Sequence, residues 1–193
     1  YINRPNENGI PPIIDAALIH YQFETIHPFA DGNGRVGRIL IPIYLMEIGV
    51  LASPLLYLSP AVEGQKDIYV DLMLDVSKNG NWTPWIKFFL KLVTQSCNAA
   101  QNTFAELEML RRNFGSKISE TKGSARLITI ANELFISPVV SIPATATSLK
   151  ISYPSAKALI ERLVDLEILT ELDESSNPKL YVCWPVIDLS EGR

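Results

Sequence analysis

The sequence has little of what builds disulfide-rich, membrane-spanning or nucleic-acid-binding proteins. Two cysteines and two histidines occur among 193 residues, so neither a disulfide framework nor a zinc site is indicated. No apolar run is long enough to span a bilayer, and no signal peptide opens the chain, so we expect a cytoplasmic protein. The net charge of −4 argues against general nucleic-acid binding. The hydrophobic content of 47% is ample for a buried core.

The stretch richest in functional groups is HPFADGNGRVGR at residues 27–38. It holds one imidazole, one carboxylate, a Gly-Asn-Gly turn and two arginines, and an apolar helix is predicted at 39–49. A glycine turn that opens a helix exposes backbone N–H groups at the positive end of the helix dipole. We expect Gly32 and Gly34 to adopt positive φ where needed and to form an anion-binding nest.

The other residues of this stretch predict chemistry on a nucleoside triphosphate. Asp31 is a hard oxygen ligand that suits Mg2+ held mostly by water and phosphate. Arg35 and Arg38 share a helix face and can each bind phosphate oxygens bidentately. A neutral His27 can take a proton from an attacking hydroxyl near pH 7. His20, the other histidine, is interpreted as a hydrogen-bonded core residue of the preceding helix.

Residues 27–38 resemble the Fic family, whose signature HxFx[D/E]GNGRxxR they match at every specified position. The segments HYQFETIHPF at 20–29 and LLYLS at 55–59 are similar to Fic proteins too, and the resemblance covers roughly residues 11–95. It implies a protein adenylyltransferase that moves AMP from ATP to a protein side-chain hydroxyl and releases pyrophosphate. The related Doc kinases carry a loop that lacks Gly-Asn-Gly.

The resemblance implies a role for each of three residues in the loop. His27 would be the general base toward the hydroxyl of the target protein. Asp31 would hold Mg2+, the implied cofactor, between the phosphates of ATP. Phe29 would point inward and anchor the loop.

The resemblance also implies how the triphosphate is bound. The backbone of Gly32, Asn33 and Gly34, together with the Asn33 amide, would cradle the α-phosphate. Arg35 would bind the β-phosphate, and Arg38 would bind the γ-phosphate. Positioning and charge neutralisation would then supply most of the catalysis.

The pattern along the chain predicts a mainly α protein, a Fic-type helical bundle followed by a small winged helix-turn-helix domain. Residues 1–114 are predicted to form the Fic catalytic core. The polar, glycine-bounded segment 115–124 predicts a linker. Residues 125–193 have the order helix, strand, helix, turn, helix and hairpin, with a polar hairpin tip at 173–178. Such a domain often follows a Fic core in bacterial proteins.

The charge of this second domain decides which partner we expect for it. Between Ser124 and Pro185 there are five basic and seven acidic residues. A duplex-binding module is usually basic on its reading face. We therefore expect contact with a protein, or a homodimer, ahead of DNA binding. A transcription regulator whose Fic core only senses nucleotide stays open as an alternative, as does removal of AMP by the same loop.

Regulation is predicted to lie outside these residues. Inhibitory helices of many Fic proteins have the form [S/T]xxxE[G/N], and their Glu pairs with the second motif arginine, here Arg38. Ser116 and Glu120 have that spacing, but Thr121 follows them. We expect this helix and the target-docking hairpin to belong to a missing N-terminal part. Arg38 would then lack a carboxylate partner, and the fragment would bind ATP without regulation yet transfer AMP poorly.

Overall fold

The computed structural model describes residues 9–121, 124–172 and 178–191. The chain divides into two compact units, residues 1–101 and 102–193. The predicted mainly α fold is confirmed, because helices account for most of the described residues and the strands among them form one small sheet. In the same ranges no helix is long and apolar enough to cross a membrane.

The first unit is built from helices alone within the part of the chain that is described. They are α1 (Pro12–Ile26), α2 (Asn33–Glu47), α3 (Ser59–Glu63), α4 (Lys66–Asn79) and the first half of α5 (Trp82–Glu120). Trp85 is fully buried, and its indole N–H donates to the carbonyl of Ala17 at 3.2 Å. Because Ala16 and Ala17 are small and buried, α1 can approach its neighbours closely, and the core forms around it.

Helix α2 begins earlier than the apolar pattern predicted. The pattern placed its start at Ile39, but the helix starts at Asn33, so the second half of the motif forms its first two turns. Pro42 lies inside α2 and the helix continues through it. Gly49 follows the helix with φ 73°, the left-handed conformation expected of a glycine helix stop.

The boundary between the units differs from the predicted linker at 115–124. Residues 115–120 are the last turns of α5, and the two units divide between Gln101 and Asn102, inside the same helix. Because this segment is mostly polar, its composition did not reveal two apolar residues at helical spacing. Phe114 and Ile118 are both buried in the core of the second unit. Their burial, rather than the local propensity, keeps the segment helical.

The second unit combines helices with a small antiparallel sheet. Its further elements are α6 (Ala125–Glu133), β1 (Val139–Ser141), α7 (Ile142–Ser148), α8 (Tyr153–Asp165), β2 (Thr170–Glu171), β3 (Leu180–Val182) and α9 (Trp184–Glu191). The strand order is β1-β3-β2, with Val140 opposite Tyr181 and Thr170 opposite Val182. Ser141 and Ser152 accept backbone N–H groups and cap α7 and α8.

The predicted hairpin is present, with one correction at its end. The second strand of the hairpin, β3, ends at Val182, and Trp184 begins helix α9, which the predicted order of elements did not include. Pro185 sits in the first turn of α9, where its missing N–H costs nothing, and it was the overlooked signal. The predicted polar tip at 173–178 lies, except for Pro178, outside the described residues.

Candidate active site

The loop at residues 27–32 connects α1 to α2 and starts with an unusual backbone conformation at His27. His27 has φ 50° and ψ 57°, and its N–H donates to the carbonyl of Phe23 at 3.0 Å. Helix α1 ends here because the left-handed residue turns the chain and Pro28 cannot continue the helix. The His27 side chain is exposed to solvent. A non-glycine residue held at positive φ stores strain, which is more common at functional sites than elsewhere.

Asn33 closes the loop with its side chain. Its Oδ1 accepts from the N–H of Phe29 at 2.9 Å, and its Nδ2 donates to the carbonyl of Phe29 at 2.6 Å. The residue is 2% exposed. The amide is therefore committed to the loop, which speaks against the expected contact with the α-phosphate. The backbone N–H of Asn33 is not affected.

Phe29 differs from its expected position. The ring was expected to point inward, but the residue is 51% exposed. It lies beside Phe23, with 6.3 Å between the ring centroids. The loop is anchored by the backbone of Phe29 through Asn33, so the side chain is not required to be buried.

The anion site was predicted at the N-terminus of α2. Gly32 is the N-cap residue, with φ 82°, and the first intrahelical bond runs from the N–H of Val36 to its carbonyl. The N–H groups of residues 33–35 precede that bond and have no intrahelical acceptor. Gly34 does not use positive φ, because it lies within the first helical turn. The nest therefore depends on Gly32 and the start of the helix.

Both arginines of the motif lie back over the glycines. A Cβ atom on Gly32 would lie 3.5 Å from Nη2 of Arg35, and one on Gly34 would lie 3.1 Å from Nη1 of Arg38. Long helical side chains lean toward the N-terminus, over residues three or four positions earlier. The two guanidinium groups are thereby placed beside the exposed N–H groups, and both charges favour an anion there.

Asp31 and Arg35 form an exposed ion pair. Oδ2 of Asp31 lies 3.4 Å from Nη2 of Arg35, and the side chains are 92% and 73% exposed. A pair this exposed contributes little stability, so either partner can exchange it for a ligand at low cost. One accessible carboxylate beside a phosphate site fits Mg2+, which keeps several waters and takes further oxygens from its substrate. No group of three or more His, Cys, Asp or Glu able to hold a metal occurs in the described ranges.

Arg38 contacts a hydroxyl rather than a carboxylate. Its Nε donates to Oγ of Ser59, at the start of α3, at 3.0 Å. Among the residues that the structure describes, no acid lies within 4.0 Å of its guanidinium.

Behind the motif, His20 forms a buried link between α1, α2 and α4. Its Nδ1 donates to the carbonyl of Gly37 at 3.1 Å, so its Nε2 accepts from the hydroxyl of Tyr69 at 2.9 Å. His20 is 1% exposed, which confirms the prediction of a hydrogen-bonded core residue. Burial lowers the pKa of His20 to about 4, against the raising effect of its bond to Gly37. Burial also raises the pKa of Tyr69.

Three residues close to the motif were not singled out from the sequence. Besides Ser59 and Tyr69, Glu24 lies in the last turn of α1 with its Oε1 buried against Gly37. Burial raises the pKa of Glu24, while the positive charges of Arg38 and then His27 oppose that rise. Glu24 and Ser59 fall inside the two flanking segments that resemble Fic proteins, which was the available signal.

Comparison with known proteins finds similarity in the part of the chain that includes this site. A model of the Fic/DOC family matches residues 1–45. Protein adenylyltransferase Fic of Drosophila mojavensis is 32% identical over 88 residues, which are 46% of this chain and 16% of that protein. Protein adenylyltransferase fic-1 of Caenorhabditis elegans is 33% identical over 91 residues, which are 47% and 16% of the two chains.

A further relative supplies a shorter match of higher identity. Probable protein adenylyltransferase aq_aa38 of Aquifex aeolicus (strain VF5) is 52% identical over 46 residues, which are 24% of this chain and 14% of that protein. The chain spans less than a fifth of the length of each of these three relatives. The family match includes the whole of residues 27–38, where the loop, the helix N-terminus and both arginines meet. Residues 1–45 of this chain, which include the site, are therefore similar to the Fic/DOC family.

Proposed function

We propose that this chain carries the catalytic loop of a protein adenylyltransferase, which transfers AMP from ATP to a hydroxyl of a target protein. One observation carries this function. The open N-terminus of α2 lies beside Asp31, Arg35 and Arg38, directly after the exposed His27. The names of the relatives support adenylyl transfer.

Different residues bind different parts of the nucleotide. The backbone N–H groups at the start of α2 bind the α-phosphate, and Asn33 takes part through its backbone alone. Arg35 binds the β-phosphate and Arg38 the γ-phosphate, each with paired N–H donors. Asp31 holds Mg2+, which neutralises charge on the phosphate oxygens when it is bound.

His27 acts on the attacking group. It accepts the proton of the target hydroxyl as the hydroxyl oxygen forms a bond to the α-phosphorus of ATP. The bond from that phosphorus to the bridging oxygen of the β-phosphate breaks, and pyrophosphate leaves with the electron pair. AMP remains on the target as a phosphodiester. An exposed His27 is compatible with this role, because the target protein must reach it from solvent.

The second unit is an accessory domain in this proposal. The order of its helices, with β1 and the β2–β3 hairpin in one sheet, supports a winged helix-turn-helix. Its helix α8 carries two bases, Lys157 and Arg162, and each already has an acid of the same helix within 4.0 Å, Glu161 and Asp165. These four side chains leave α8 without net positive charge, whereas a duplex-binding helix is usually basic, so contact with a protein is favoured.

The test is a comparison of two labels in ATP. The chain is incubated with cell lysate and Mg2+, with ATP labelled either at the α-phosphate or at the γ-phosphate. Adenylyl transfer places only the α label on protein, and His27→Ala abolishes it. Transfer of the γ label instead would identify a kinase, and retention of a specific duplex without any label on protein would favour the nucleotide-sensing regulator.

A further inference from the structure

The guanidinium of Arg38 is held by a side chain from another helix. Its Nε donates to Oγ of Ser59 on α3 at 3.0 Å, while its Nη1 lies over Gly34 of its own helix. A free arginine side chain has many rotamers, and fixing one of them on ligand binding costs entropy. A partner at Nε fixes the direction of the plane in advance and leaves the N–H groups of both Nη atoms for a ligand.

Ser59 has no evident task in its own helix. The N-cap position of α3 is Leu58, and no side-chain hydrogen bond caps the helix. Pro60 already supplies the favourable first turn. The hydrogen bond to Arg38 therefore accounts for the hydroxyl group of Ser59.

Glu24 provides a negative charge on the same face of α2. Its Oε1 would lie only 2.2 Å from a Cβ atom on Gly37, and Gly37 is one turn beyond Gly34. This oxygen is buried and has no hydrogen-bond partner among the described residues. A buried carboxylate oxygen without a donor is costly unless a positive charge lies near it. Arg38 directly follows Gly37 in α2, and its positive charge opposes the raised pKa of Glu24.

We propose that Ser59 and Glu24 are positioning residues that hold the guanidinium of Arg38 over Gly34, ready for the terminal phosphate of ATP. Ser59 fixes the direction of Nε, and Glu24 attracts the guanidinium from the side of Gly37. This role rests on the proposed function, because it takes the γ-phosphate as the group that Arg38 binds. Neither residue touches the nucleotide itself.

The experiment measures equilibrium binding of ATP and of AMP, each with Mg2+, to the full chain. We expect Ser59→Ala to weaken ATP binding about tenfold, the usual scale for a lost hydrogen bond to a charged group. Glu24→Gln should weaken it about threefold, since its effect is electrostatic and partly screened. Binding of AMP, which has no γ-phosphate, should not change in either variant. Ser59→Thr keeps the hydroxyl and should restore ATP binding.

Repeating both substitutions in the Arg38→Ala variant distinguishes the positioning of Arg38 from a general loss of structure. With Arg38 absent, Ser59→Ala and Glu24→Gln should no longer affect ATP binding, so the paired variants should be strongly non-additive. Glu47→Gln on α2 and Ser119→Ala on α5 make the same atomic changes at exposed positions and should bind ATP as the unsubstituted chain does.

Each contrary result has a distinct meaning. Equal loss of ATP and AMP binding, or loss that persists without Arg38, would show a structural role and overturn the positioning of Arg38. Tighter ATP binding by Glu24→Gln would show that Glu24 only repels the nucleotide, which overturns its part. If the unsubstituted chain binds neither nucleotide, the proposed function fails and this role fails with it.

Discussion

Acidification is expected to destabilise the first unit through His20. This histidine is neutral in the folded protein, because its Nδ1–H is bonded to the carbonyl of Gly37 and its Nε2 accepts the hydroxyl of Tyr69. A second proton on Nε2 would be buried and would face that hydroxyl and the charge of Arg38. The unfolded chain has no such restriction and takes up the proton at the ordinary pKa.

The sign and the size of the effect follow from the two pKa values. The pKa of His20 is 6.5 in the reference state and about 4 in the folded chain, with burial as the largest cause. Because the folded value is the lower one, the stabilisation is complete above pH 6.5 and is lost as the pH falls toward 4. One unit is worth about 1.4 kcal/mol, so the full loss is about 3 kcal/mol and the loss at about pH 5 is about 2 kcal/mol.

The assay is urea denaturation of the full chain at about pH 8 and about pH 5, followed by tryptophan fluorescence. The replacement His20→Gln keeps hydrogen-bonding groups but cannot titrate in this range, so it should lose about 2 kcal/mol less than the unsubstituted chain. The matched control His27→Gln should keep the full dependence attributed to His20. An independent measure is the NMR titration of labelled histidine, in which His20 should stay neutral down to about pH 4. The reasoning is refuted if His20 titrates near pH 6.5 in the folded chain.

Three further outcomes are expected from the candidate site. His27→Ala should lower AMP transfer at least about 10²-fold and leave ATP affinity nearly intact; transfer by the variant would remove His27 from the mechanism. Asp31→Asn should weaken ATP binding measured with Mg2+ but not with a chelator present, and equal weakening in both would separate Asp31 from the metal. Gly34→Ala should displace the guanidinium of Arg38 and weaken ATP binding. The control Gly115→Ala, which meets no atom within 4 Å, should instead stabilise α5 by about 0.5–1 kcal/mol in thermal or urea unfolding.

The helices and strands of this chain could be predicted from the sequence better than the tertiary contacts between them. The order of elements within residues 125–193 was predicted correctly as far as the hairpin, because apolar spacing in the sequence marks the buried face of a helix or strand. The end of α5 was missed because Phe114 and Ile118 are buried by tertiary contacts among otherwise polar residues. No local pattern marks such contacts, and a glycine beside polar residues is the usual sign of a linker.

In the candidate site, too, residues could be predicted from the sequence but their contacts could not. The motif identified the residues of the loop, yet the side chain of Asn33 bonds to Phe29 rather than facing outward. The roles of Ser59 and Glu24 depend on α3 and α1 approaching α2, which no spacing within the motif reveals. Residues that act through long-range contacts cannot be read from a motif that is continuous in sequence.

The spacing of glycines and arginines in the motif follows from helix geometry. Arg35 is three residues after Gly32 and Arg38 is four residues after Gly34, the two separations that bring a helical side chain over an earlier residue. A side chain at either glycine would meet the guanidinium and would also cover the N–H groups beside it. The absence of a Cβ atom at Gly32 and Gly34 therefore leaves room for the arginine side chains and also leaves the N–H groups of the nest uncovered. Because α2 must begin at Asn33 for this overlap to exist, the hydrogen bonds between Asn33 and Phe29 that fix the loop also fix where the proposed phosphate site lies.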